Sequence, residues 1–548
     1  MKAVIIDGYV DEPALLGVPP YISPYVRYSA GVFEKWGINY DYFTIDTIRK
    51  ENLWEFFNDY NLLLLICGLT VPGHYIGGTP ITPREIMKIF KSNKQPIKIL
   101  AGPVKIAYTM RGGSFAETLK NLEADFVIKG DIEAFLDSFF KGDPDEYKKS
   151  TYDLIDEIAP LGAEVIKKHP RFPFIVCEME LSKGCERHTY CSFCTEPVLH
   201  GRLRSRNVKG VLKEIEELYK KGCRAFRFGR TANIFAYGSD RNNWKPCPPV
   251  LEELFSESRK IAPNAIIHND NANPFYMIKH KKETMEILEI VVKYNTEGDV
   301  LSFGVESFDE NVLKKNNIES HPKITLEAVK IVNDIGGFRI NGVPKILPGI
   351  NLLYGLIGET PETYRKNYEY LKRILEEDYL LRRINIRQVM IFPGTPLHRY
   401  YSTRKFKMEK HLFDQWKRKI REEIDNPMLK KVFPAGTILR NVIPEYKKGK
   451  LSFGRQLGTY PILVGFPGDF KKPVNILVVD HGKRSITGIK YPASLNSMTI
   501  DELEMIPGIG KNLSRKIILK RPFKDWKDVE KVLGPHLVNY LKGIGITI

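Results

Sequence analysis

Short apolar runs recur along this chain, too continuous for strands with one wet face, and helical stretches separate them. Residues 1 to about 160 carry five: Lys2–Asp7, Gly37–Tyr40, Asn61–Cys67, Lys98–Pro103 and Ala124–Gly130, with a helix expected over Tyr25–Trp36. Strands apolar on both faces must be covered on both, which predicts a doubly wound parallel sheet. The pattern resumes between residues 170 and 425, with runs at Phe172–Leu181, Ala225–Phe228, Ala265–His268, Val300–Ser307, Ile350–Ile357 and Ile384–Met390. Six strand–helix units are too few to close an eight-fold barrel, so a partial (βα)6 barrel is expected, open enough to admit a large substrate. From 430 to 492 the strands become short and are broken by Gly, Pro and Lys, as in a small β-barrel. Residues 494–548 turn helical, with Thr499 and Glu502 at capping-box spacing. The fold class is therefore multidomain α/β.

The chemistry concentrates after the first run of the second region. Cys185, Cys191 and Cys194 stand in a C-x5-C-x2-C spacing on the loop that leaves Phe172–Leu181. They are three of seven cysteines in 548 residues, too few for a disulfide framework and in keeping with a reducing cytoplasm. A closed structural zinc needs four ligands, so three thiols suit a site that keeps one position open. A Cys3His zinc completed by His188 or His200, and unligated thiols, are the alternatives. Cys177 and Cys223 read as core or turn residues.

The aromatic Phe193 before the third cysteine and Lys183-Gly184 before the first resemble the radical S-adenosylmethionine (SAM) superfamily. That resemblance implies a 4Fe-4S cluster on Cys185, Cys191 and Cys194, its open iron chelating SAM. It further implies an electron donor such as a ferredoxin or flavodoxin, and reductive cleavage of SAM to a 5′-deoxyadenosyl radical. The first gap is five residues where the superfamily has three. Later strand ends, Gly304-Val305-Glu306-Ser307, Gly355-Leu356-Ile357-Gly358-Glu359 and Pro393-Gly394-Thr395, are similar to those of methylthiotransferase and elongator-type radical enzymes. By that resemblance Glu306 and Ser307 contact the ribose or amino acid part of SAM, and Gly355 and Gly358 let the backbone approach the adenine. The superfamily's second-strand Gly-Gly-Glu is missing, and Gly229-Arg230 occupies its place. The first domain resembles the cobalamin-binding type, which implies cobalamin. Its Asp-x-His-x-x-Gly ligand motif is replaced by Asp7-Gly8-Tyr9-Val10-Asp11, without the histidine. Methylthiotransferases carry three cysteines in that domain; this one has Cys67 alone.

Net charge is +17, and from Tyr401 to Ile548 alone Lys and Arg exceed Asp and Glu by 15. So lopsided a distribution fits a surface that meets polyanions. Within it, residues 430–492 resemble the RNA-binding barrel that ends the methylthiotransferases. Ile506-Pro507-Gly508-Ile509-Gly510-Lys511 resembles a helix-hairpin-helix, in which Gly508 and Gly510 form a tight turn whose bare N–H groups can hold a phosphate, with Lys511, Arg515 and Lys516 adding charge. The four-domain order resembles an archaeal group of radical enzymes. The expectation is a radical SAM enzyme that modifies a nucleic acid, RNA (tRNA) before DNA, with no membrane segment. A radical methyltransferase acting on a protein or small molecule, with cobalamin, is one alternative. A non-catalytic nucleic-acid-binding protein is the other.

Overall fold

The computed structural model describes all residues except 70–76, 110, 120–121 and 241–242. Leu62–Gly68, buried at every position, lies mid-sheet in the first domain. Lys2–Glu12 and Ile97–Ala101 flank it in parallel, with Asn39–Thr44 and Phe126–Val127 outside them. That is the expected doubly wound sheet. Cys67 is fully buried within it, and burial pushes its thiol up.

Six parallel strands build the second layer: Val176–Glu180, Ala225–Arg230, Ile266–Asn269 (continued by Asn271–Ala272), Asp299–Glu306, Ile346–Tyr354 and Arg383–Gln388. Helices such as Val208–Lys220 and Pro322–Gly336 cover their outer face. The two free edges are not left bare. The first domain sends Tyr21–Ile22 to pair in parallel with Val176 and Cys177. It also sends Ser114–Phe115 to pair with Met390–Ile391, just beyond the last strand. Covering both edges in this way removes unpaired strand N–H and C=O groups.

Ile438–Lys448, Leu451–Arg455, Leu463–Pro467, Ser485–Lys490 and Val474–His481 form a closed five-stranded barrel. Its connection through Gly458–Tyr460 enters the larger barrel beside the first residues of the first and last strands. There the Tyr21 hydroxyl donates to the Gly458 carbonyl at 2.8 Å, and the Thr459 N–H donates to His268 Nδ1 at 3.0 Å. The Arg383 guanidinium lies 3.8 Å over the Tyr460 ring. Leu477, Val479 and Ile489 of the small barrel share one apolar core with Leu503, Ile509, Ile517 and Leu541 of the C-terminal helices. Among the described residues no helix is long and apolar enough to cross a membrane.

The seam between the first two domains is charged and dry. Arg27, on the helix Pro24–Lys35, has no exposed surface; it donates to Glu214 Oε1 at 2.8 Å and to the Glu178 carbonyl at 2.7 Å. Arg206 donates to the other oxygen of Glu214. Burial pushes the Glu214 carboxyl up, but the two guanidiniums outweigh it and hold it below its ordinary value. Removing one member of such a buried group typically costs about 3–5 kcal/mol. Glu214→Gln should therefore lower the thermal midpoint clearly at neutral pH. Because a depressed carboxyl stabilises only while ionised, the gap to the parent should shrink as pH falls into the acid range. Thermal melts of both proteins across pH would measure it.

Candidate functional site

Val176–Glu180 is buried along its whole length, and the chain leaves it through Ser182–Lys183, which pairs with Arg204–Ser205. The loop between these short strands carries all three clustered cysteines. Its neck is tight: Gly184 has φ +84, and a Cβ there would lie 2.3 Å from the Arg202 carbonyl oxygen. The Gly184 N–H donates to Glu196 Oε1 at 2.8 Å, so one carboxylate joins the residues just outside Cys185 and Cys194. Cys185 donates its N–H to the Gly201 carbonyl at 3.2 Å, and Cys194 closes a turn onto the Cys191 carbonyl at 3.2 Å.

Asn316, at the end of the helix Glu310–Lys315, fixes that turn from outside. Its Oδ1 accepts the Ser192 hydroxyl at 2.6 Å and the Ile357 N–H at 3.3 Å, and its Nδ2 donates to the Ile357 carbonyl at 2.9 Å. One amide thus ties the cysteine turn to the glycine turn after Ile346–Tyr354. Local patterning does not reveal this residue, because its partners lie 124 and 41 positions away.

Burial pushes all three thiols above their ordinary range, and the Arg187 guanidinium beside Cys191 opposes this there. Among the described residues, the one trio of carboxylate, thiol or imidazole donors within 4.8 Å of one another is Glu12, Glu196 and His200. The cysteine sulfurs are thus too spread to share a single ion. His188 is exposed, and His200 points toward Glu12, so neither completes a Cys3His zinc. Three separated, half-buried thiols with an arginine alongside fit a multi-iron cluster of negative charge.

The expected SAM-contact residues divide into two groups. Phe193 packs on an apolar shelf of Val312, Leu313, Leu356, Val389 and Leu397, which Cys191 also joins. Gly355 and Gly358 have φ +93 and +87, and a Cβ on Gly358 would lie 2.7 Å from Lys315 Cδ. Glu306 takes φ +62, a backbone region a non-glycine residue adopts under strain. Burial pushes its carboxyl up to about 7, against the pull of Arg387 and then Arg187. These residues surround the cysteine turn. The others do not. The Ser307 hydroxyl donates to Asn367 Oδ1 at 3.3 Å and accepts the Asp309 N–H, so it caps a turn against a helix. A Cβ on Gly229 would lie 2.0 Å from Arg227 Nη1, so this glycine makes room for the Arg227–Glu178 ion pair inside the barrel. Arg230 is fully buried, with Nη1 3.1 Å from both Glu196 oxygens and Nη2 3.5 Å from Glu12. The Ser307 and Arg230 side chains thus bond within the scaffold, and Gly229 gives the ion pair its space.

In the first domain the turn at Asp7 is held by its own neighbours and supplies cobalt no lower histidine ligand. Asp7 accepts the Tyr42 hydroxyl at 2.9 Å and the Tyr9 N–H at 3.0 Å, and no imidazole stands in that turn. The strand ends close on one another, since a Cβ on Gly68 would lie 2.0 Å from the Val104 nitrogen.

At the far end of the chain, Gly508 has φ +88, whereas Gly510 takes an ordinary φ of −88 with nothing within 4 Å of a Cβ. Only the first glycine is needed for the turn; the second leaves the start of Lys511–Lys520 uncovered. Lys511, Arg515 and Lys516 are all exposed on it. The capping box of Thr499 and Glu502 forms as expected.

The Radical SAM superfamily model matches residues 179–371. An uncharacterized protein of Methanocaldococcus jannaschii is 44% identical over 510 residues, 89% of this chain and 93% of that protein. One of Archaeoglobus fulgidus is 36% identical over 548 residues, 99% of each. A tRNA-2-methylthio-N(6)-dimethylallyladenosine synthase of Protochlamydia amoebophila is 23% identical over 233 residues, 40% of this chain and 48% of that protein. Among solved structures, the radical SAM methyltransferase TsrM of Kitasatospora setae, with tryptophan and a SAM analogue bound, aligns with TM-score 0.50 at 15% identity. The alignment covers 74% of this chain and 77% of that one, and it is a likeness of fold.

Asn316→Ala should cost about 1–3 kcal/mol by leaving buried groups unpaired and should lower the iron retained per chain after anaerobic reconstitution. The exposed Lys314→Ala should change neither, and iron assay with thermal melting would separate the two.

Proposed function

The chain belongs to the radical S-adenosylmethionine superfamily, enzymes that use a 4Fe-4S cluster and SAM, and from that premise we propose that it modifies a nucleic acid, RNA before DNA. Cys185, Cys191 and Cys194 would hold the cluster. Together the cluster and SAM supply a carbon radical able to take hydrogen from an unactivated C–H bond. The chain's own residues bind and orient. Phe193 and the Gly355–Gly358 turn give an apolar, close-approach wall beside the cysteines. Arg387 lies near enough to Glu306 to pull on its charge, Gly304 is exposed, and Asn351 and Asn385 share a hydrogen bond of 2.8 Å. These polar groups suit the heteroatoms of a base or sugar rather than a hydrocarbon.

The observation that carries the nucleic-acid reading is where the positive charge sits. Nearly all of the excess lies in the last quarter of the chain, whose two modules share one core and reach into the catalytic barrel through Gly458–Tyr460. Radical chemistry and a polyanion surface are thereby joined in one body. The uncovered start of Lys511–Lys520 offers backbone N–H groups with Lys511, Arg515 and Lys516 around them, a phosphate contact that reads no bases.

Nucleoside mass spectrometry of total tRNA and rRNA from a strain lacking the gene should reveal one missing modified nucleoside. A missing peptide modification with RNA unchanged would overturn the reading and favour the protein-directed alternative. In purified protein, replacing Lys511, Arg515 and Lys516 with Gln should weaken tRNA binding. It should also flatten the dependence of log K on log salt by roughly 2, since each lost phosphate contact contributes about 0.7 on a single strand. An unchanged slope would remove the helix-hairpin-helix from the interface.

A further inference from the structure

Beside the cysteine loop lies a second, sulfur-free cluster that the radical chemistry does not use. Glu12 ends the first strand of the N-terminal sheet, while Glu196 and His200 begin and end the short helix after Cys194. One donor atom from each lies within 4.8 Å of the other two. The site is dry: Glu12 and Glu196 are each 2% exposed and His200 9%. Two of the converging atoms are unsatisfied. Glu12 Oε2 and His200 Nε2 have no hydrogen-bond partner, and they face each other across 3.8 Å.

That gap is too long for a hydrogen bond. It is close to the spacing of about 3.4 Å between two ligands of one tetrahedral ion bound at 2.0–2.2 Å. The remaining contacts hold the donors in place. The Tyr25 hydroxyl donates to Glu12 Oε1 at 2.7 Å, while Oε2 faces the gap with Arg230 Nη2 3.5 Å to its side. Arg230 Nη1 lies 3.1 Å from both Glu196 oxygens, and the Gly184 N–H also meets Oε1. Arg230 is shared between the two carboxylates, so the three groups together keep a net negative charge in a dry seam, which is costly. Burial lowers the tendency of His200 to protonate, which leaves its ring nitrogen a lone pair rather than a charge.

The geometry points to a mononuclear site for a divalent first-row cation such as Zn2+ or Mn2+, with Glu12, Glu196 and His200 as ligands. One imidazole nitrogen and two carboxylate oxygens are the donor set such ions take. The ion would fasten the N-terminal sheet, through Glu12, to the base of the cysteine loop, through Glu196 and His200. It is a structural tie distinct from the three-thiol site and independent of which substrate the enzyme modifies.

The test uses the full-length chain with Cys185, Cys191 and Cys194 replaced by Ala, so that no iron cluster assembles. After treatment with a chelator, the protein is dialysed against Zn2+ or Mn2+ and assayed for bound metal. One equivalent per chain is expected, with a metal-dependent rise in the thermal midpoint. Affinity should fall at least tenfold in Glu12→Gln and in His200→Gln, and stay unchanged in the exposed Lys314→Ala. Loading the same protein with Co2+ gives a readout that needs no further substitution: nitrogen and oxygen ligation leaves the near-ultraviolet free of sulfur charge-transfer bands. A folded protein that binds no metal would overturn the proposal. So would sulfur bands, or an affinity that neither Glu12→Gln nor His200→Gln alters.

Discussion

A single buried carboxylate governs how this protein is put together. Glu214 has no contact with water and lies between Arg27 of the first domain and Arg206 of the barrel. Arg27 has no other carboxylate among its hydrogen-bond partners, Arg206 has Asp156 besides, and Glu214 could not stay ionised without the two guanidiniums. With the three in place, the helix Pro24–Lys35 is locked against the first barrel strand, and the segment before it is delivered as the edge strand Tyr21–Ile22. Arg206 carries the restraint further, since its N–H donates to the Leu181 carbonyl at 2.8 Å, at the root of the cysteine loop. Domain docking and loop placement therefore rest on the same charges.

Much of the framework was legible in the sequence because it is local. A strand apolar on both faces reads as buried wherever it occurs, and the runs at Asn61–Cys67 and Val300–Ser307 fall where Leu62–Gly68 and Asp299–Glu306 form. The cysteine spacing marks its loop in the same way. What escaped is long-range and polar. Tyr21–Ile22 follows two prolines and is too short to show a period; it becomes a strand only because Val176 offers it an edge. Tyr21 and Gly458 bond across 437 positions, beyond the reach of any window of sequence.

The same distinction explains the site residues. Gly355, Gly358 and Phe193 do what their residue types suggest: the glycines turn with positive φ and the aromatic packs. For Arg230 and Ser307, residue type was not enough, since a buried guanidinium or hydroxyl is claimed by whichever partner the fold brings nearest. Here those partners are Glu196 with Glu12, and Asn367. Asn316 is the converse case, an unremarked amide that becomes the tie between two functional turns.

The apolar core shared by the small barrel and the C-terminal helices has a consequence for how such a chain can be shuffled. Leu477, Val479 and Ile489 have their cover in Leu503, Ile517 and Leu541 rather than within their own barrel. A cut between the two modules would expose that surface on both sides, so neither can be inherited or grafted as a separate cassette. In recombination, natural or engineered, they travel as one unit.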